Sequence, residues 1–77
     1  MTTLTNNNQI RGRKDIGLAI WKAIEFSGKA REDIAFQLQV SVRMVNYWQE
    51  GSKLPSLNKV VQLADLLGCT IDSLLRN

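Results

Sequence analysis

Apolar residues recur at helical spacing in five successive stretches of this chain. Ile16, Ala19, Ile20, Ala23 and Ile24 stand at i, i+3, i+4, i+7 and i+8, which lines one face of a helix packed on a core. Asp15 is placed to cap that helix and Gly28 to stop it. A second helix is expected from about Arg31 to Leu38, with Ile34, Ala35 and Leu38 inward. Glu32 and Asp33 sit in its first turn, where the helix dipole favours acids. Ser41 reads as the N-cap of a third helix that runs to about Glu50 and ends at Gly51. With Val45 and Trp48 turned inward, Arg43, Asn46, Tyr47 and Glu50 fall on the opposite face. Pro55 and Ser56 open a fourth helix whose inner stripe reads as Leu57, Val60, Val61, Ala64 and Leu67, with Gly68 as its stop. Thr70 is placed to cap a short fifth helix carrying Ile71, Leu74 and Leu75. No strand pattern and no internal repeat appears. The expected fold is all-α: a compact bundle of five short helices.

Composition narrows the chemistry. At 77 residues the chain has room for one domain. Residues Met1 to Gln9 are rich in Thr and Asn, and Arg11, Arg13 and Lys14 follow. The division this suggests is a flexible basic N-terminal arm over residues 1–13 and a folded domain over residues 14–77. Such an arm either follows a phosphate backbone or minor groove once DNA is bound, or is simply an untidy terminus. No apolar run approaches the roughly 20 residues of a membrane span, and the polar start is no signal peptide, so a cytoplasmic protein is expected. One cysteine and no histidine exclude an internal disulfide, a Cys/His zinc site and a histidine-activated nucleophile. We therefore expect a binding protein rather than an enzyme, with no cofactor and no metal.

The formal charge of +3 is unevenly placed. Up to Lys53 there are eight Lys/Arg against five Asp/Glu, and from Leu54 onward two against two. All of the positive excess thus lies in the first two-thirds, as for a side that faces a polyanion. Taken alone, the charge is better accounted for by a normally solvated surface.

The stretch Arg31 to Glu50 decides between these readings. It is two short helices joined by a tight turn, with Ile34, Leu38, Val40, Val45 and Trp48 apolar and the small Ala35 inside the first helix. Ala35 permits a close helix crossing, Val40 plugs the turn, and Val45 and Trp48 fasten the outer helix to the core. The outer helix then offers a polar face of the width a major groove accepts. Over REDIAFQLQVSVRMVNYWQEGSKLPSLNKVVQLADLLGCTIDSLL the chain resembles, without gaps, the second to fifth helices of the lambda-type repressor/Cro family. The spacing of Gly51 to Pro55 and the closing LLGCTIDSLL belong to the same resemblance, which spans roughly Lys14 to Leu75.

Several positions depart from that family's pattern. Gln39 stands where the turn usually has Gly, at a cost of about 1 kcal/mol if the residue takes positive φ. Ala30 replaces a capping Ser or Thr, again a loss of about 1 kcal/mol. Arg31 replaces a Gln that commonly helps to bind a phosphate, a task suited to Arg at a helix N-terminus. Ile24 and Gln49 occupy the places of an Arg–Glu pair, so the core is expected to have exchanged an ion pair for apolar packing. Ile24→Arg alone should then lower the melting point.

The resemblance implies roles. Base reading falls to Val42, Arg43, Asn46 and Tyr47. Arg43 is suited to guanine O6 and N7, and Val42 and Met44 to thymine methyl groups. Asn46 takes either adenine or a phosphate, and Tyr47 reaches a phosphate through its hydroxyl. Arg31, Ser52 and Lys53 are the phosphate-binding candidates, which position without reading sequence. Glu50 is expected to point away from the backbone or to accept from a cytosine amine. Trp48 and Cys69 are assigned to the core, while Trp21 covers its edge or meets a partner. The family implies a homodimer on a near-palindrome of double-stranded DNA. Leu63, Leu66 and Leu74 or Leu75, at the end of the fourth helix and in the fifth, either make its contact or simply complete a small core. A Cro-like repressor is the leading reading. An antitoxin that also binds a protein partner, and a protein-interaction module without DNA, are the alternatives.

Overall fold

The computed structural model describes residues 12–76. Five helices follow one another: α1 (Arg13–Ser27), α2 (Arg31–Leu38), α3 (Val42–Glu50), α4 (Leu57–Leu67) and α5 (Ile71–Leu75). Ile16, Ala19, Ile20 and Ile24 of α1 meet Ile34, Ala35 and Leu38 of α2, Val45 and Trp48 of α3, Val60, Leu63 and Ala64 of α4, and Leu74 of α5 in one core. No polar or charged residue among those described is buried in it. Trp48 is a core residue, and Cys69 packs against the core from its edge.

Local chemistry explains most of the boundaries. Ser41 Oγ accepts from the Met44 N–H at 3.0 Å, Ser56 Oγ from the Lys59 N–H at 3.3 Å, and Thr70 Oγ1 from the Ser73 N–H at 3.1 Å. Each satisfies one of the amide groups a helix start leaves open. The start of α1 differs from expectation. Gly12, not Asp15, is the N-cap: its carbonyl accepts from the Ile16 N–H at 2.9 Å, and no side chain caps the helix. Arg13, Lys14 and Asp15 form an exposed first turn that an apolar stripe cannot register, so Arg13 belongs to the helix and not to an arm. Arg11 lies outside the described residues.

The inner face of α4 also differs. Val60, Leu63 and Ala64 are buried, whereas Leu57 is 70% and Val61 44% exposed. This helix carries Leu or Val around much of its circumference, so two phases of the same periodicity fit the sequence. Packing against α2 and α5 selects the one that includes Leu63. Leu63 and Leu74 are therefore core, and Leu66 and Leu75 lie half-buried against it. Neither fully buried leucine is available as a dimer contact.

Gly17 sets how α1 meets α3. A Cβ there would lie 2.8 Å from the backbone oxygens of Trp48 and Gln49 and from the Gly51 nitrogen. Backbone thus rests on backbone, a separation that only glycine permits. At Gly51, where φ is +78°, a Cβ would come within 2.9 Å of the Arg13 oxygen. Together these two glycines seat the C-terminal end of α3 on the first turns of α1.

Candidate nucleic-acid interface

With Val45 and Trp48 fixed in the core, the opposite face of α3 is set by helical geometry. Arg43 is exposed on it, and Asn46 and Tyr47 are half-buried one turn further on. Among the described residues Arg43 has no hydrogen-bond or ion-pair partner. Val42 and Met44 are half-buried and pack against the core, so each offers only part of its surface outward.

The chain folds back after α3 and collects a second group. The Tyr47 carbonyl accepts from the Ser52 N–H at 3.1 Å, the Lys53 N–H at 3.4 Å and the Ser52 hydroxyl at 3.3 Å. This turn carries the Lys53 ammonium over the Tyr47 ring, 4.9 Å from its centre, a cation–π contact. Ser52 Oγ also lies 3.5 Å from Glu50 Oε1, which keeps that carboxylate beside the turn. Tyr47, Ser52 and Lys53 are thereby brought together.

A third group lies at the start of α2. Arg31 is exposed, and its Nη1 donates to Gln49 Oε1 of α3 at 3.5 Å. Ala30 supplies no side-chain cap. A helix N-terminus without a side-chain acceptor favours an anion, and a guanidinium at that place adds charge and paired donors. Arg13 and Lys14 are exposed in the first turn of α1, whose Arg13 carbonyl side approaches Gly51. An exposed ion pair joins Asp72 of α5 and Arg76 just after it, at 3.6 Å. Arg31, Arg43 and Lys53 are paired with no carboxylate among the described residues. No group of three or more His, Cys, Asp or Glu among the described residues is placed to hold a metal ion, and no described helix is long and apolar enough to cross a membrane.

Sequence reasoning missed three contributors. Gly17 was legible as a glycine inside an apolar helix stripe, a mark of close approach. Lys59 was not legible: its ammonium donates to the Leu38 carbonyl, 21 residues away, at the C-terminal end of α2. Gln49 stood out only as a departure from a charged pair, not as a partner of Arg31.

Comparison with known proteins agrees with this geometry. The sequence model of the Helix-turn-helix family HTH_3 matches residues 27–74. No curated protein sequence matches the chain. Among solved structures, the restriction-modification controller protein C.AhdI from Aeromonas hydrophila superposes with a TM-score of 0.73 at 21% identity, over 80% of this chain and 94% of its own. The clp gene regulator ClgR from C. glutamicum gives 0.73 at 19%, over 80% of each chain. A transcriptional regulator from Listeria innocua gives 0.72 at 25%, over 87% of this chain and 59% of its own. The chain belongs to the lambda Cro/CI-type helix-turn-helix family of DNA-binding transcriptional regulators.

Proposed function

We propose that the protein is a Cro-like repressor that acts in the cytoplasm, without catalysis of its own, by occupying an operator as a homodimer. The observation that carries this reading is the exposed, unpartnered Arg43 on the outward face of α3, with the phosphate-binding candidates Arg31, Ser52 and Lys53 gathered beside the C-terminal half of that helix. In the complex α3 lies in the major groove. Arg43 donates to guanine O6 and N7, a contact that discriminates by roughly 1–3 kcal/mol. Val42 covers a thymine methyl group with the part of its surface left outside the core. Asn46 reads adenine or holds a phosphate, and the Tyr47 hydroxyl meets the backbone. Arg31 grips at the start of α2, and Ser52 and Lys53 grip after α3. Arg13 and Lys14 continue the basic surface from α1, with Arg11 preceding them in the sequence.

A dimer doubles these contacts over half-sites one helical turn apart. Its contact draws on residues outside the core, because Leu63 and Leu74 are fully committed within the protomer. A second reading, a regulator that also binds a protein partner, is favoured by one observation. Phe26, Phe36 and Leu57 are 96%, 82% and 70% exposed, unusual for large apolar side chains.

Selection of bound sites from a random duplex library, repeated at several salt concentrations, tests the proposal. An enriched inverted repeat, lost on Arg43→Ala, supports the dimeric reader. Weak, sequence-blind binding that fades near physiological salt overturns it in favour of the protein partner.

A further inference from the structure

The side-chain amide of Gln49 is satisfied from one side only. Its Oε1 accepts from Arg31 Nη1 at 3.5 Å, while its Nε2 is buried with no partner. Turning the amide over brings no relief, because an amide N–H would then face a guanidinium N–H, donor against donor. Nor does α1, which packs against α3, supply an acceptor: its buried residues are Ile16, Gly17, Ala19, Ile20 and Ile24. An orphaned buried donor destabilises a fold. The one interaction that fixes this amide, and with it the orphan, is the contact with Arg31.

Arg31 is the first residue of α2, and Ala30 before it leaves that helix start without a side-chain acceptor. An exposed arginine otherwise samples many rotamers, and an anion must order it on binding. We propose that Gln49 is a positioning residue for Arg31: its carbonyl oxygen holds the guanidinium at the start of α2, ready for a DNA phosphate. The acceptor is neutral, which is the point of the arrangement. A carboxylate in that place holds Arg31 more tightly but cancels the charge the phosphate needs. The amide orients the guanidinium and leaves its charge to the DNA. This inference rests on the reading of Arg31 as a phosphate grip.

The test uses the full chain, a labelled duplex pool of random sequence, and Arg31→Ala, Gln49→Met, Gln49→Glu and the double variant Arg31→Ala/Gln49→Met. Affinity is measured across a salt series and the melting temperature is followed beside it. Arg31→Ala is expected to weaken binding and to reduce the log–log salt slope by about 0.9, the share of one phosphate. Gln49→Met, which removes the orphaned donor, is expected to keep or raise Tm while weakening binding about threefold to tenfold. Gln49→Glu, which puts a carboxylate oxygen in the buried place of the orphaned amide, is expected to lower Tm and to lose about the same slope as Arg31→Ala. The double variant should bind no more weakly than Arg31→Ala alone. A purely structural Gln49 would move Tm and affinity together and leave the slope alone. Wild-type affinity and slope in both Gln49 variants, with Arg31→Ala impaired, overturn the positioning role and leave the grip standing. No effect from Arg31→Ala overturns the grip, and this inference with it.

Discussion

The two helices of the helix-turn-helix are nearly equal in length, eight residues in α2 and nine in α3, yet they are held by different means. Helix α3 begins on Ser41, whose hydroxyl accepts the Met44 N–H, and ends on Gly51 in the left-handed region. Helix α2 begins on Ala30, with no side-chain cap, and ends on Gln39, which is forced to φ +59°. That is the one non-glycine residue at positive φ among those described. Distant residues meet both ends of α2. Lys59 of α4 donates to the Leu38 carbonyl, where the helix dipole favours a cation, and Gln49 of α3 holds Arg31 at the other end. Helix α3 is thus capped by side chains and glycine of its own flanks, whereas α2 adds side-chain contacts from α3 and α4 to its local backbone bonds.

This contrast can be broken at several points. Gly17→Ala should have the largest effect, because its Cβ meets three backbone atoms of the α3 end at 2.8 Å. Helix propensity alone predicts a gain of about 1 kcal/mol. The clash predicts a net loss of about 2–3 kcal/mol, seen as a lower midpoint in denaturant unfolding. Lys59→Met removes the cation from the end of α2 and should cost about 1–2 kcal/mol, or a Tm lower by several degrees. Amide exchange should rise first around Leu38, before α3 opens.

Two smaller effects should take opposite signs. Ser41→Ala removes the cap of α3 and should cost about 1 kcal/mol, whereas Ala30→Ser adds one to α2 and should return about the same amount. Equal losses from the two substitutions would remove the distinction between the helices. Gln39→Gly relieves the left-handed residue and should raise stability by up to about 1 kcal/mol in thermal unfolding.

Most of the fold was legible because its signals are local. The caps Ser41, Ser56 and Thr70 and the stops Gly28, Gly51 and Gly68 each act within one turn of chain, so five helices and their approximate limits follow from the sequence. The inward placement of Ile34, Val45 and Trp48 follows from period alone, and with it the outward placement of Arg43. The strain at Gln39 was also foreseeable, since a helix that closes into a tight turn places one residue near φ +60°.

Tertiary structure decided what period and caps leave degenerate. The start of α1 at Gly12 rather than Asp15 depends on an exposed first turn that buries nothing. The choice of Leu63 over Leu57 and Val61 as the inner face of α4 depends on which neighbours that helix meets, since the sequence offers two apolar phases. Lys59 on Leu38 and Arg31 on Gln49 join residues 21 and 18 positions apart. Side chains as long as these reach many partners, and no spacing rule ties such pairs together. The sequence by itself determined the elements and the outward face of α3, because short-range sterics and periodic burial act along the chain. Which residues hold those elements in register was settled only by the packing, because those contacts exist nowhere until the chain has folded.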